Sequence, residues 1–233
     1  MGGPTHLYTT LLQLPGVPVV DLTLREQFAY VWVNAGVMQW PLAICTVAGS
    51  VVIIWKFIEL MSKGSTTKKL LREVNALLGE HRIDEAMKVC HASSSPGAKI
   101  LYAGLERRRE GTERVTKAIE NQGLLELSRL ERGLVILATL TTIAPLLGFL
   151  GTVIGMIIAF QTIEAAGEVE AILVARGIRV ALVTTAMGLV IAIPVSIMNN
   201  FFVSRIDSLV VDMEESAQKM IDTLHAVEEG TEA

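Results

Sequence analysis

The chain has 233 residues, a net charge of -4 and 51% hydrophobic residues, of which few are aromatic, and its mean hydropathy is +0.49. That is too apolar for a soluble domain of this length, and basic and acidic residues that are segregated along the chain offer no nucleic-acid surface. Cys45, Cys90 and four scattered histidines give neither a disulfide framework nor a metal centre, since Cys90 and His91 have no further ligands at metal spacing, and no cofactor is expected.

Residues 1–27 are expected to form an amphipathic segment outside the membrane, and their first part, up to about Pro18, lacks the basic start and small-residue cleavage site of a secretory signal. Thr23 and Glu26 have the spacing of a capping box, and Leu24, Phe28 and Trp32 recur at helical spacing. This is either an amphipathic helix at the membrane surface or a continuation of the first span. Residues 27 to 55 carry no charge, more than the roughly 20 residues a bilayer requires, so 28–55 is expected to be the first transmembrane helix, with Trp40 and Trp55 near its ends.

Residues 56–132 are polar and helix-rich. Leu70, Leu71, Val74, Leu77 and Leu78 repeat at helical spacing before a break at Gly79. A second helix is expected from Ile83 to Cys90, a turn at Ser93 to Gly97, a third helix from Ala98 to about Glu110, and a new helix from Gly111-Thr112. The last of these is expected to run unbroken into the membrane. Arg107-Arg108-Arg109 is either a solvated helix face or a docking site for anionic headgroups or an acidic partner segment.

The uncharged stretch 133–163 is the second expected span. An acidic hairpin with Glu164, Glu168 and Glu170 occupies 164–179, the third span 180–203, and a cytoplasmic helix and acidic tail 204–233, fraying near Gly230. One lysine or arginine precedes the first span, fifteen lie between the first two, two in the hairpin and two in the tail. The basic excess places 56–132 in the cytoplasm, giving an all-α membrane protein with its N-terminus and hairpin outside and its C-terminus inside.

No histidine, acid or base lies within any of the three spans, although such groups usually mark an ion path. Their polar groups are hydroxyls. In the second span Pro145, Gly148, Thr152, Gly155 and Ala159 share a helical face, with Gly151 beside them; in the third, Thr185, Gly188, Ala192 and Ser196 do the same. These faces are either close-packing surfaces whose threonines bond back to their own helices, or the wall of a narrow pore around a partner helix. Pro145 and Pro194 free backbone carbonyls and are expected to kink their helices. An intramembrane enzyme is unsupported, because no second catalytic group accompanies any of these hydroxyls.

The string APLLGFLGTVIGMIIAF at Ala144 to Phe160, followed by RGIRVALVTTAMGLVIAIP ending at Pro194, closely resembles the MotA/TolQ/ExbB proton channel family, as does LLGEHRIDEAMKVCHASSSPGAKIL more loosely. Three spans resemble its ExbB/TolQ branch. The resemblance implies a pentameric ring around the single-span helices of an ExbD- or TolR-like partner that carries a transmembrane aspartate. It further implies that Thr152 and Thr185 line the central path, and that proton flow delivers work to a TonB- or TolA-like protein. The usual glutamate five residues before the third-span threonine is replaced by Val180, so the partner's acid suffices, or conduction is altered, or another ion is used. The alternative is a structural scaffold whose small-residue faces only assemble helices.

Overall fold

A computed structural model of the protein describes residues 38–80, 82–167 and 171–232. The readings made for residues 1–27 and for the first ten residues of the expected first span lie outside that range, as do Glu168 and Glu170. The described chain contains helices and no strand: α1 Gln39–Gly79, α2 Ile83–Ala92, α3 Pro96–Glu106, α4 Thr112–Glu131, α5 Leu134–Ala166 and α6 Ala171–Glu232. Stretches of α1, α5 and α6 are each long and apolar enough to cross a membrane. The chain falls into two compact units, a smaller one holding residues 148–187 and a larger one holding 41–147 and 188–233.

In the larger unit α1 continues without a break from its apolar half into its polar half. The charges at that transition are internally matched: Lys56, with no exposed surface, donates to Glu59 Oε2 at 2.9 Å, and Lys63 donates to Glu59 Oε1 at 2.6 Å. The opposite face of α1 stays apolar and exposed through Ile54, Ile58 and Met61. Beyond it, Leu70, Val74 and Leu78 from α1 meet Leu101 and Leu105 from α3, Ile119 and Leu130 from α4, and Phe202, Ile206 and Met220 from α6 in one hydrophobic core. Gly104 sits where three elements converge. A Cβ there would stand 2.5 Å from the Met220 methyl and 2.9 Å from Ile119 Cγ1, so any larger residue would force both side chains to shift in the packed core.

Local signals set the connections. Ser95 caps α3 by accepting from the Ala98 N–H at 3.3 Å, with Pro96 at the first helical position. The helix therefore starts before Ala98, and it ends earlier than Glu110: Arg107 to Arg109 form a turn, not a helical face. Gly111, at φ 91°, then redirects the chain into α4.

Three further expectations are corrected. The helix from Thr112 does not run unbroken into the apolar stretch; it stops at Glu131, and α5 begins afresh at Leu134. Gly133 takes φ 95°, a backbone state open mainly to glycine, and a Cβ there would also meet Trp55 Cζ3 at 3.0 Å. At the other end α6 extends to Glu232, past Gly230. Arg176 and Arg179 lie on α6 itself, so the bend between α5 and α6 takes up fewer residues than 164–179.

Candidate functional site

In the smaller unit the last half of α5 packs antiparallel against the first part of α6 through a ladder of small residues. A Cβ on Gly151 would lie 2.5 Å from Thr184 Oγ1; one on Gly155, 3.2 Å from both the Ala181 Cβ and its backbone nitrogen; one on Gly177 would press into Ala159. Moving toward the bend on α5 (Gly151, Gly155, Ala159) means moving toward the bend on α6 (Thr184, Ala181, Gly177). The three- and four-residue steps keep all of these on one face of each helix, and the missing side chains let the backbones touch.

Hydroxyls flank this ladder in three different states. Thr184, 1% exposed, bonds back to its own helix, donating to the Ala181 carbonyl at 2.8 Å. Thr185, half-buried, reaches across and donates to the Gly148 carbonyl at 3.0 Å. Thr152, also half-buried and next to the ladder on α5, donates to the Phe149 carbonyl at 2.6 Å. The Gly148 carbonyl already belongs to the α5 backbone ladder, so Thr185 uses its second lone pair. Gly148, Gly151, Gly155, Thr152 and Thr185 stand out in the sequence by their spacing. Thr184, the side chain that fills the space above Gly151, does not, because adjacent threonines are indistinguishable until the helix phase is known.

Pro145, Gly188, Pro194 and Ser196 belong to the larger unit. Gly188 is buried, Pro145 and Ser196 are half-buried, and Pro194 is exposed. Both prolines lie inside continuous helices, where each removes one backbone donor and leaves the carbonyl four residues earlier, of Thr141 and of Val190, without its usual partner. Val180 is half-buried at the start of the expected third span. No residue from 133 to 163 or from 180 to 203 can gain or lose a proton near neutral pH.

What this arrangement offers is therefore acceptance. Each of the three threonines has its one proton committed to a backbone carbonyl, which leaves the oxygen lone pairs of the half-buried Thr152 and Thr185 to receive a hydrogen bond from elsewhere. Such an oxygen can bind water, a cation or the O–H of a protonated carboxylic acid. It cannot carry a proton by its own titration.

Residues 92–215 match the profile of the MotA/TolQ/ExbB proton channel family. The chain is similar to an ExbB homolog of Methanothermobacter thermautotrophicus, with 29% identity over 90% of this chain and 74% of that protein. It is similar as well to the biopolymer transport protein ExbB of Aquifex aeolicus, with 34% identity over 49% of this chain and 76% of the other. For the biopolymer transport protein ExbB of Salmonella typhimurium the identity is 29%, over 86% of each chain.

Proposed function

The chain belongs to the MotA/TolQ/ExbB proton channel family, and we propose that it builds the wall of a proton-driven motor in a bacterial inner membrane. It is a multi-pass membrane protein. In this reading several copies, five by resemblance, enclose the transmembrane helices of an ExbD- or TolR-like partner. The N-terminus lies outside and the C-terminus inside. Proton motive force turned into motion of that partner drives biopolymer transport, the process named for the ExbB relatives, through a TonB- or TolA-like protein.

The observation that carries the reading is the pairing of two available hydroxyl oxygens, on Thr152 and Thr185, with spans free of acids. A carboxylate entering lipid is driven toward its neutral form, because burial penalises the charge. The resulting carboxylic acid needs an acceptor for its O–H. The threonine oxygens supply it, so an aspartate on the partner can cross the low-dielectric region protonated and satisfied. Val180 fits the same division of labour: the wall adds no acid of its own, and the guest carries the whole proton load.

The test is proton flux into vesicles holding the chain together with its single-span partner. Thr152→Val and Thr185→Val keep shape and lose the acceptor, and each is expected to lower flux roughly tenfold, about the worth of one hydrogen bond to a buried group. Serine at either position should restore it. Valine variants that assemble and conduct like the parent would make the chain a structural scaffold, and flux that follows sodium instead of protons would change the ion.

A further inference from the structure

Two exposed stripes in the larger unit match each other in charge and height. On α4 the outward face carries Arg114, Lys117, Asn121 and Leu125; with Arg107 these line a groove of about 740 Å³ beside α3. Glu106 and Glu113 share the groove, and cations outnumber them. On α6 the outward face carries Asp207, Val211, Glu214, Gln218 and Asp222 at steps of four, three, four and four residues. Among the described residues Arg114, Lys117, Asp207 and Glu214 have no ion pair or side-chain hydrogen bond, whereas Asp222 accepts one from Gln218 at 2.9 Å. Each stripe also holds one large apolar side chain in the open: Leu125 is 55% exposed and Val211 61%.

Heights follow from the helix rise. Counted along each helix, Leu125 lies eight residues before Gly133 and Val211 eight residues after Val203, about 12 Å of rise in each case; because α4 and α5 are separate helices, the height of α4 is set by its register against the unbroken α6. Arg114 and Asp222 are each nineteen residues from the same two points, about 28 Å of rise. Within one copy the two helices already run at this register: the groove between them is lined by α4 from Thr116 to Leu127 and by α6 from Val210 to Ile221. Rotation about the membrane normal preserves height, so in a closed ring the α4 of one copy meets the α6 of the next with leucine level with valine and arginine level with aspartate.

We infer that the basic stripe of α4 docks on the acidic stripe of α6 in a second copy of this chain, a head-to-tail contact outside the membrane that fixes the height of adjacent subunits. The inference rests on the reading of the chain as a ring-forming channel wall. Lipid does not explain the exposed leucine and valine, since both lie well beyond the hydrocarbon layer, and like charges along each stripe exclude pairing of a stripe with itself.

The experiment uses the full chain in membranes, as two differently tagged copies, one with Leu125→Cys and the other with Val211→Cys. The native Cys45 and Cys90 are buried, and the tagged parent chains serve as the control. Mild oxidation is expected to yield a disulfide between the two tags, and none for Leu125→Cys paired with Asp222→Cys, whose heights differ by about 16 Å. Arg114→Glu should cut the cross-link yield about fivefold, and Asp222→Arg added to it should restore the yield. An oligomer of undiminished size that gives no 125–211 cross-link overturns the inference and leaves the channel reading standing. A chain that is monomeric in the membrane overturns both.

Discussion

Lys56, fully buried, donates a 3.0 Å hydrogen bond to the backbone carbonyl of Arg132, the residue that closes α4. The ammonium thereby satisfies a carbonyl that the helix end leaves open, at the point where Gly133 redirects the chain into α5. Trp55, the preceding residue, covers Gly133 from the side. The joint between the α4 and α5 helices is thus held by two consecutive residues of α1.

Removing the parts of this joint should cost different amounts. Glu59→Ala leaves the Lys56 charge buried with only a carbonyl for company and is expected to cost about 3 kcal/mol or more. Lys56→Met opens the carbonyl but leaves Glu59 paired with Lys63, for about 1–2 kcal/mol. Lys63, 41% exposed, should matter by less than about 1 kcal/mol when replaced by alanine. Thermal unfolding of the three variants in one detergent gives the ranking; equal losses would mean that the buried ammonium does not depend on its carboxylate.

The same carboxyl gives the joint an acid limit. Burial pushes the Glu59 carboxyl up, but hydrogen bonds from Lys63 and Lys56 outweigh it and hold the group below the usual carboxylate range. A depressed folded value means stability that is present above the unfolded value of about 4.3 and lost as pH falls through the folded one. Melting temperature should therefore drop on acidification below about pH 4.3 more steeply in the parent than in Glu59→Gln, with circular dichroism as the measurement.

Within the smaller unit, Gly151 and Thr184 cannot both carry more atoms. Gly151→Ala places a methyl group against the Thr184 hydroxyl and Cβ, an overpacking expected to cost about 1–3 kcal/mol. Adding Thr184→Gly moves the small residue to the other helix and should return most of that loss, less about 1 kcal/mol for a glycine inside a helix. A double-mutant cycle read by unfolding in detergent checks the coupling; additive losses would place the two residues out of contact.

These features differed in how far the sequence disclosed them. Apolar length identifies the three span-forming stretches, since nothing else stabilises about thirty uncharged residues, and Gly111-Thr112 marks a helix start, whereas Ser95-Pro96, expected within a turn, is the cap and first residue of α3 because Ser95 accepts from the Ala98 N–H. The break at Gly133 escaped notice because a glycine between Arg132 and a leucine-rich run reads equally well as a helical residue; its positive φ is imposed from far along the chain by Trp55 and Lys56. The turn at Arg107 to Arg109 was hidden for the opposite reason, as arginine favours helices and only the core contacts of Leu105 and Val115 decide where the chain turns. Periodicity put Gly151 and Gly155 on a common face, but which threonine lies above them depends on helix rotation.

Thr185 and Thr152 should separate structure from conduction. Thr185 bonds to the other helix and Thr152 to its own, so Thr185→Val is expected to lower stability by about 0.6–1.7 kcal/mol, the range for hydrogen bonds between helices in membranes, whereas Thr152→Val should leave it within about 0.5 kcal/mol. Unfolding in detergent measures this, on the same preparations used for proton flux. Equal destabilisation by both substitutions would remove the distinction.

Cys90 sets an alkaline limit on the larger unit. It is 2% exposed within the hydrophobic core, and burial pushes its thiol up to about 11 from 9.0. The folded state thus keeps the thiol neutral where the unfolded chain ionises it. A raised folded value means stability that is complete below the unfolded value and drains away as pH rises through the folded one, so the loss falls between about pH 9 and pH 11, on the order of 2 kcal/mol at about 1.4 kcal/mol per pH unit. Cys90→Ala removes this contribution while giving up about 1 kcal/mol of packing at every pH. Parent and variant should therefore differ most at neutral pH and converge or cross near pH 10–11 in denaturant titrations. A difference that stays constant across that range would show the thiol to be reached by water, and rapid alkylation of Cys90 in the folded protein would show the same.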